Sequence, residues 1–234
     1  MKKAFVIFVA VVLLAVGCIS LADEVVNVYN WEDYIDPKVL ELFEKETGIK
    51  VNYMRFTTNE DMVVQMRNST GAFDVVFPSD YCIERFIAED LLEELDFSKI
   101  PNAKHTIENL LNPDYDKENK YSVPYMWGTV GILYNKKLVK GEIDSWAALF
   151  SEEYKDNVFM LDSIRDTMGI SLKYLGYSMN TRDPKHIKQA TDLLIKQKEE
   201  GVVKAYQVDE TKDKMAAGEA ALALMWSGDA KPRP

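Results

Sequence analysis

Acidic and aromatic side chains recur together where apolar runs of this 234-residue sequence end. Trp31, Asp33 and Tyr34 follow Val25–Asn30, and Ser79, Asp80 and Tyr81 follow Asp74–Pro78. Asp166 follows Val158–Asp162, and Trp226 ends the run Ala220–Met225. Carboxylates hold an ammonium through charge-assisted hydrogen bonds. Trp and Tyr faces attract the same cation and cover a methylene chain, each contact contributing about 0.5–2 kcal/mol. Several such contacts with two ion pairs reach a net binding energy of roughly −8 kcal/mol, the micromolar range. The mixture suits a cation with an aliphatic body. Each residue alone also has a plainer reading. A Trp or Tyr at a strand end packs at the core or its rim, Asp33, Ser79 and Asp80 sit where helix caps belong, and Asp166 is a charge in a first helical turn. Recurrence at several strand ends is what favours binding.

Other chemistries find little material. His105 and His186 are the only histidines, too few for a His-built metal centre or a Ser-His-Asp triad. There is no GxSxG, no P-loop and no Gly-rich dinucleotide turn, so neither a cofactor nor a metal is expected. Carboxylates are plentiful, but none is marked as a catalytic pair. An exported hydrolase stays open as an alternative, as does a receptor for another cation or small solute. Lys and Arg number 28 against 38 Asp and Glu, a formal charge of −10 that speaks against nucleic acid and fits a cationic partner. Hydrophobic content of 47% with 28% charged residues is that of a globular protein, which excludes disorder and a multi-span membrane protein.

The first segment reads as an address. Lys2 and Lys3 precede the apolar run Ala4–Gly17, a length that suits a signal peptide and is short for a bilayer span. Two exits are written in it. Leu14-Ala15-Val16-Gly17-Cys18 resembles a lipobox that would lipidate Cys18, and Ser20-Leu21-Ala22 offers small residues to an ordinary signal peptidase. The Gly-Cys pair favours the first. Residues 1–22 are therefore expected to be removed or anchored, placing the chain in the periplasm or on the outer membrane face. Cys82 then has no disulfide partner and is expected to pack as a small buried hydrophobe.

These residues need elements to position them, and the pattern supplies them. A β-branched run at Val25–Asn30 reads as a strand. Asp36-Pro37 opens a helix with Val39, Leu40, Leu42 and Phe43 as its apolar stripe, stopped at Gly48. Ile49–Phe56 reads as a strand, Thr58–Arg67 as a capped helix, and Asp74–Phe77 as a third strand ended by Pro78. This β-α-β-α-β-α order predicts a parallel sheet with ligands off its carboxyl ends. Glu89–Lys120 reads as polar surface, Tyr121–Tyr134 as two strands, and Trp146–Phe150 as a helix. Then follow a strand at Val158–Asp162, helices at Arg165–Leu175 and Pro184–Glu199, a strand at Val202–Tyr206, a helix at Glu210–Ala217 and a strand at Ala220–Met225.

Three stretches resemble the bacterial periplasmic spermidine/putrescine-binding proteins, the receptors of polyamine ABC importers. They are Asn30-Trp31-Glu32-Asp33-Tyr34, Phe43–Val51 and Phe73–Tyr81, and the likeness continues through Val123–Gly128, Ser145-Trp146, Leu175–Tyr177 and Met225–Gly228. The resemblance implies an α/β, two-lobed periplasmic-binding-protein fold of type II that closes on a linear polyamine and catalyses nothing. It implies residues 23–128 as one lobe, 129–225 as the other, and 226–234 as the start of a second crossover. Trp31 and Tyr34 would flank the ligand, and Asp33 would meet an amine. Ser79, Asp80 and Tyr81 would form a second binding loop, Asp166 a carboxylate of the second lobe, and Trp226 an aromatic platform. The partners implied are spermidine or putrescine and the permease subunits of an importer. Two departures stand out. Ser163 stands where the resemblance leaves room for another acid, so one ammonium is less neutralised. The resemblance also implies a chain that continues beyond Pro234, so a C-terminal truncation is expected.

Overall fold

The computed structural model describes residues 24–230. The leader, Cys18 and residues 231–234 lie outside them. The described chain divides into two compact units. One runs up to Phe56 and resumes at Gln65–Pro78, and the other comprises Thr57–Val64 and the chain from Ser79 onward.

The first unit is built on a parallel sheet of β1 (Val25–Trp31), β2 (Lys50–Phe56) and β3 (Val75–Val76), with β1 in the centre. The β1–β2 register runs from Val25 opposite Lys50 to Trp31 opposite Phe56. Asn52 Nδ2 donates to Asn27 Oδ1 at 2.9 Å across that pair, and on the other side of β1 Asp74, directly before β3, accepts from the Asn27 backbone N–H through Oδ2 at 2.7 Å. Helix α1 (Pro37–Thr47) connects β1 to β2. Asp36 caps it by accepting from the Lys38 N–H, Pro37 fixes the first turn, and Gly48 ends it at φ 75°. That left-handed backbone is one glycine adopts without steric cost. The apolar stripe of α1 does not form a core in this unit: Val39 and Leu42 are about half exposed, and no residue of the helix is buried. Aromatic packing is concentrated on Tyr29, which stacks on Phe73 and meets Phe56 edge-on.

Helix α2 (Asn59–Asn68) is divided between the units. Thr58 and Asp61 cap it reciprocally, the Asp61 N–H donating to Thr58 Oγ1 and the Thr58 hydroxyl to Asp61 Oδ2. Helix α3 (Asp80–Ala88) follows, with Ser79 at its N-cap position. The chain then differs from its expected course in two places. Glu89–Lys120 contains four short 3₁₀ turns and is not all surface, because Asp116 and Asn119 are buried. Asp116 accepts from the backbone N–H groups of Lys120 and Tyr121 and from the Ser122 hydroxyl, which explains how a carboxylate is accommodated there. Tyr121–Tyr134 forms one strand, β4 (Val130–Tyr134), rather than two. Residues 121–128 have the composition of a strand but no ladder partner among the described residues, and composition alone does not make a ladder.

The second unit holds a mixed sheet in the order β4-β7-β5-β6, with β5 at Val158–Leu161, β6 at Val203–Gln207 and β7 at Leu222–Trp226. β5 runs parallel to β6 and β7, and β4 runs antiparallel to β7. Alternation places successive residues on opposite faces. Leu222 and Leu224 therefore join Val158, Met160 and Leu149 in one core, while Ala223 and Met225 join Phe159 and Met215 in another. Helices α4 (Ile164–Tyr174), α5 (Pro184–Glu199) and α6 (Glu210–Ala217) supply the remaining packing. Trp146–Phe150 is a 3₁₀ turn, held to α5 by buried Gln197, whose amide donates to the Leu149 carbonyl at 2.7 Å. The short turn still delivers Leu149 to the core.

Cys82 on α3 is buried, and its thiol donates to Asn59 Oδ1. Burial pushes it from an ordinary value of 9.0 up to about 12. The unfolded chain releases this proton near pH 9 and the folded chain retains it, so stability falls as pH rises from about 9 toward 12. At pH 8 a disulfide reagent is expected to leave Cys82 unmodified in the native protein and to modify it fully in denaturant, read by peptide mass. Rapid native labelling would contradict the packed thiol.

Candidate functional site

The carboxyl end of β1 delivers Trp31, and the turn after it carries Asp33 and Tyr34. Trp31 packs on Phe56 at 4.6 Å between ring centroids and on Tyr34 at 5.8 Å. Tyr53 on β2 donates its hydroxyl to the Trp31 carbonyl at 3.4 Å, and Arg55 pairs with Glu32 at 2.6 Å. Asp33 is exposed, and the cap of α1 is Asp36 rather than Asp33. Asn30, directly before Trp31, is fully buried. Its Oδ1 accepts from the Trp31 N–H at 2.7 Å, and its Nδ2 has no hydrogen-bond partner among the described residues.

In the second unit Ser79 lies at the N-cap position of α3, but its side chain makes no capping bond. Asn59 holds it instead, Nδ2 donating to the Ser79 hydroxyl at 3.0 Å and Oδ1 accepting from the Ser79 N–H at 3.3 Å. Asp80 is exposed and accepts from the Tyr81 N–H at 2.7 Å. The Tyr81 hydroxyl is buried without a hydrogen-bond partner among the described residues. Burial first, with the charges of Cys82 and Glu60 after it and Arg165 opposing, holds this phenol protonated well above its ordinary range.

Asp166 and Trp226 lie far apart in the chain and meet because β5 and β7 are parallel neighbours whose carboxyl ends share one edge. β7 ends in Trp226, and β5 leads through Ser163 into the first turn of α4. Asp166 Oδ2 accepts from the Ser163 hydroxyl at 2.7 Å and from the Trp226 indole N–H at 3.2 Å. Two donors on one oxygen orient the carboxylate and leave Oδ1 for another donor. The plain reading of Asp166, a charge in a first helical turn, is true as well, and that turn is itself electropositive.

Arg165 is the residue that pattern reading passes over. Its guanidinium carbon lies 4.4 Å from the centroid of the Tyr81 ring. A cation in a first helical turn opposes the helix dipole, and that misplacement was the signal available in the sequence. Asn30 and Asn59 left no comparable signal, since a buried asparagine is recognised only by what it bonds. Among the described residues no group of three or more His, Cys, Asp or Glu could hold a metal ion, and no helix is long and apolar enough to cross a membrane. The second unit thus offers an oriented carboxylate, an indole, a phenol and one fixed cation. The β1 end offers an acid with two aromatic rings.

The model of one protein family, described as bacterial extracellular solute-binding protein, matches residues 38–233. The spermidine/putrescine-binding periplasmic protein of Salmonella typhimurium is 36% identical over 228 residues, covering 93% of this chain and 65% of that protein. The putrescine-binding periplasmic protein PotF of Escherichia coli is 34% identical over 234 residues, covering 94% of this chain and 63% of that protein. Among solved structures, the spermidine/putrescine ABC transporter substrate-binding protein PotD of Streptococcus pneumoniae is 38% identical with a TM-score of 0.70. That match covers 88% of this chain and 64% of the solved one. The chain thus spans just under two thirds of the length of these relatives.

Proposed function

Because this chain belongs to the bacterial extracellular solute-binding proteins, whose model matches residues 38–233, we propose that it is the polyamine-binding component of an ABC importer, taking spermidine or putrescine. The observation that carries this reading is Asp166. Its carboxylate is oriented by Ser163 and the Trp226 indole at the sheet edge where α/β folds bind ligands. An ammonium at Oδ1 gains a charge-assisted bond, and the indole face beside it covers the adjoining methylenes. Trp31, Asp33 and Tyr34 carry the same chemistry at the end of β1, and Ser79, Asp80 and Tyr81 line the start of α3. The relatives' names, which specify spermidine and putrescine, support the same class. The protein's work is then to bind and release, with no reaction.

The rest of the assignment follows from that role. The chain is exported by its leader and held at the membrane through Cys18 or released into the periplasm, where importer permease subunits receive its ligand. Residues 23–128 and 129–225 form the two lobes. The three-stranded sheet falls within the first range, and nearly all of the four-stranded sheet falls within the second.

Calorimetric titration of the purified chain with putrescine, spermidine and, as a control, glutamate tests the reading. Saturable one-to-one binding of a polyamine, weakening modestly with salt and absent for glutamate, is the expected result. Binding of glutamate, or of neither polyamine, would overturn it.

A further inference from the structure

The carboxyl end of β6 gathers buried donors without acceptors. Gln207, the last residue of β6, is 7% exposed, and Thr211, in the first turn of α6, is 1% exposed. Gln207 Nε2 and Thr211 Oγ1 are buried without hydrogen-bond partners among the described residues. Lys214 joins them: its Nζ donates to Gln207 Oε1 at 2.7 Å and lies 5.9 Å from the centroid of the buried Phe159 ring. That contact settles the orientation of the amide. Lysine has no acceptor, so the atom it meets is the oxygen, and the nitrogen is the atom left over. Thr211 and Lys214 are one turn apart on the same face of α6. A helical threonine can donate to the carbonyl four residues back. For Thr211 that is Gln207, whose carbonyl accepts from the Asp162 N–H at 3.2 Å, and Thr211 makes no such bond.

The charges lead to the same place. Lys214 is half-buried and pairs with no carboxylate among the described residues. The acid at the N-cap position of α6, Asp209, is met by Lys212 at 3.9 Å. We propose that Gln207, Thr211 and Lys214 bind a small inorganic anion, chloride. Such an ion accepts from the amide and the hydroxyl and balances the ammonium, and bonds to a charged group are the stronger ones. A water molecule would answer the two neutral donors but leave the ammonium unbalanced. The near-complete burial of Gln207 and Thr211 limits the occupant to the size of a single ion. Bound there, chloride ties α6 to the end of β6 and, through the Gln207 carbonyl, to Asp162 after β5. The site uses none of the residues assigned to the polyamine, so it stands or falls independently of that reading.

A crystal of the full chain soaked in sodium bromide tests the site, because bromide replaces chloride and is located by its anomalous scattering. A peak in contact with Lys214 Nζ, Gln207 Nε2 and Thr211 Oγ1 is the expected result. The absence of a peak there, with a water or with no density, would overturn the proposal. Thermal unfolding is the second measurement, comparing sodium chloride with sodium gluconate at equal ionic strength. The full chain is expected to melt about 3 °C higher in chloride, since an ion bound only to the folded state stabilises it. Lys214→Met and Thr211→Val each remove a donor while keeping side-chain bulk, and both are expected to lose most of that difference. The two substitutions are independent, so one that fails to fold leaves the other to decide. No difference in the unaltered chain, or a difference kept in full by the variants, would overturn the site.

Discussion

Asp166→Asn is expected to weaken polyamine binding at least about tenfold, some 1.4 kcal/mol, with thermal stability almost unchanged. The substitution isolates charge from structure. An asparagine carbonyl at the same position still accepts from the Ser163 hydroxyl and the Trp226 indole, the two bonds that Oδ2 accepts now. The strand ends and the first turn of α4 therefore stay joined. What disappears is the negative charge that turns a neutral hydrogen bond to an ammonium into a charge-assisted one, roughly twice as strong. The loss should fall on spermidine and putrescine alike, since both present an ammonium. Asp33→Asn, at the end of β1, is expected to act in the same direction. Affinities unchanged in both variants would remove the proposed site. A fall in affinity accompanied by a large fall in stability would show Asp166 to be a structural cap instead.

Leu222→Ala is expected to destabilise the protein by about 3 kcal/mol, within the range for emptying a buried leucine site. Leu222 is fully buried. It is opposite Tyr134 on β4 and Val158 on β5, so its side chain sits where three strands of the second sheet meet one core. The cavity would open beneath β7, whose backbone is paired on both sides and has little freedom to collapse into it. Urea unfolding of wild type and variant measures the difference, and a change below about 1 kcal/mol would mean that the site relaxes, contrary to the close packing described.

Much of the fold was legible in the sequence because its punctuation is strong. Asp183-Pro184 and Asp36-Pro37 open helices where they stand, and Gly48 closes one, because a capping carboxylate, a fixed φ and a left-handed glycine each act within a few residues. Tyr121–Thr129 shows the limit. Its aromatic, β-branched composition is that of a strand, but a strand exists only where a partner supplies a run of backbone hydrogen bonds, and among the described residues that bonding reaches only its last residue, Thr129, bonded to Ser227 just past β7. The candidate site divides in the same way. The acid and aromatic residues at strand ends were readable as a recurring chemistry. Their bonding was not, because the meeting of Trp226 with Asp166 depends on β7 lying beside β5, an order no local signal encodes. Arg165 over Tyr81 and Asn59 beneath Ser79 are likewise products of tertiary placement.

The strand order of the second sheet also governs when that sheet can be made. β7 is the last of its four strands in the chain but lies between β4 and β5, which have no ladder with each other. A ribosome or a translocation channel releases the chain from its amino end, so β4, β5 and β6 emerge with the seam between them empty. Only when Leu222–Trp226 arrives can the two halves of the sheet be zipped together. Until then the polypeptide has no completed second sheet to obstruct threading. The same insertion that seats the indole of Trp226 against Asp166 is thus the step that closes the sheet.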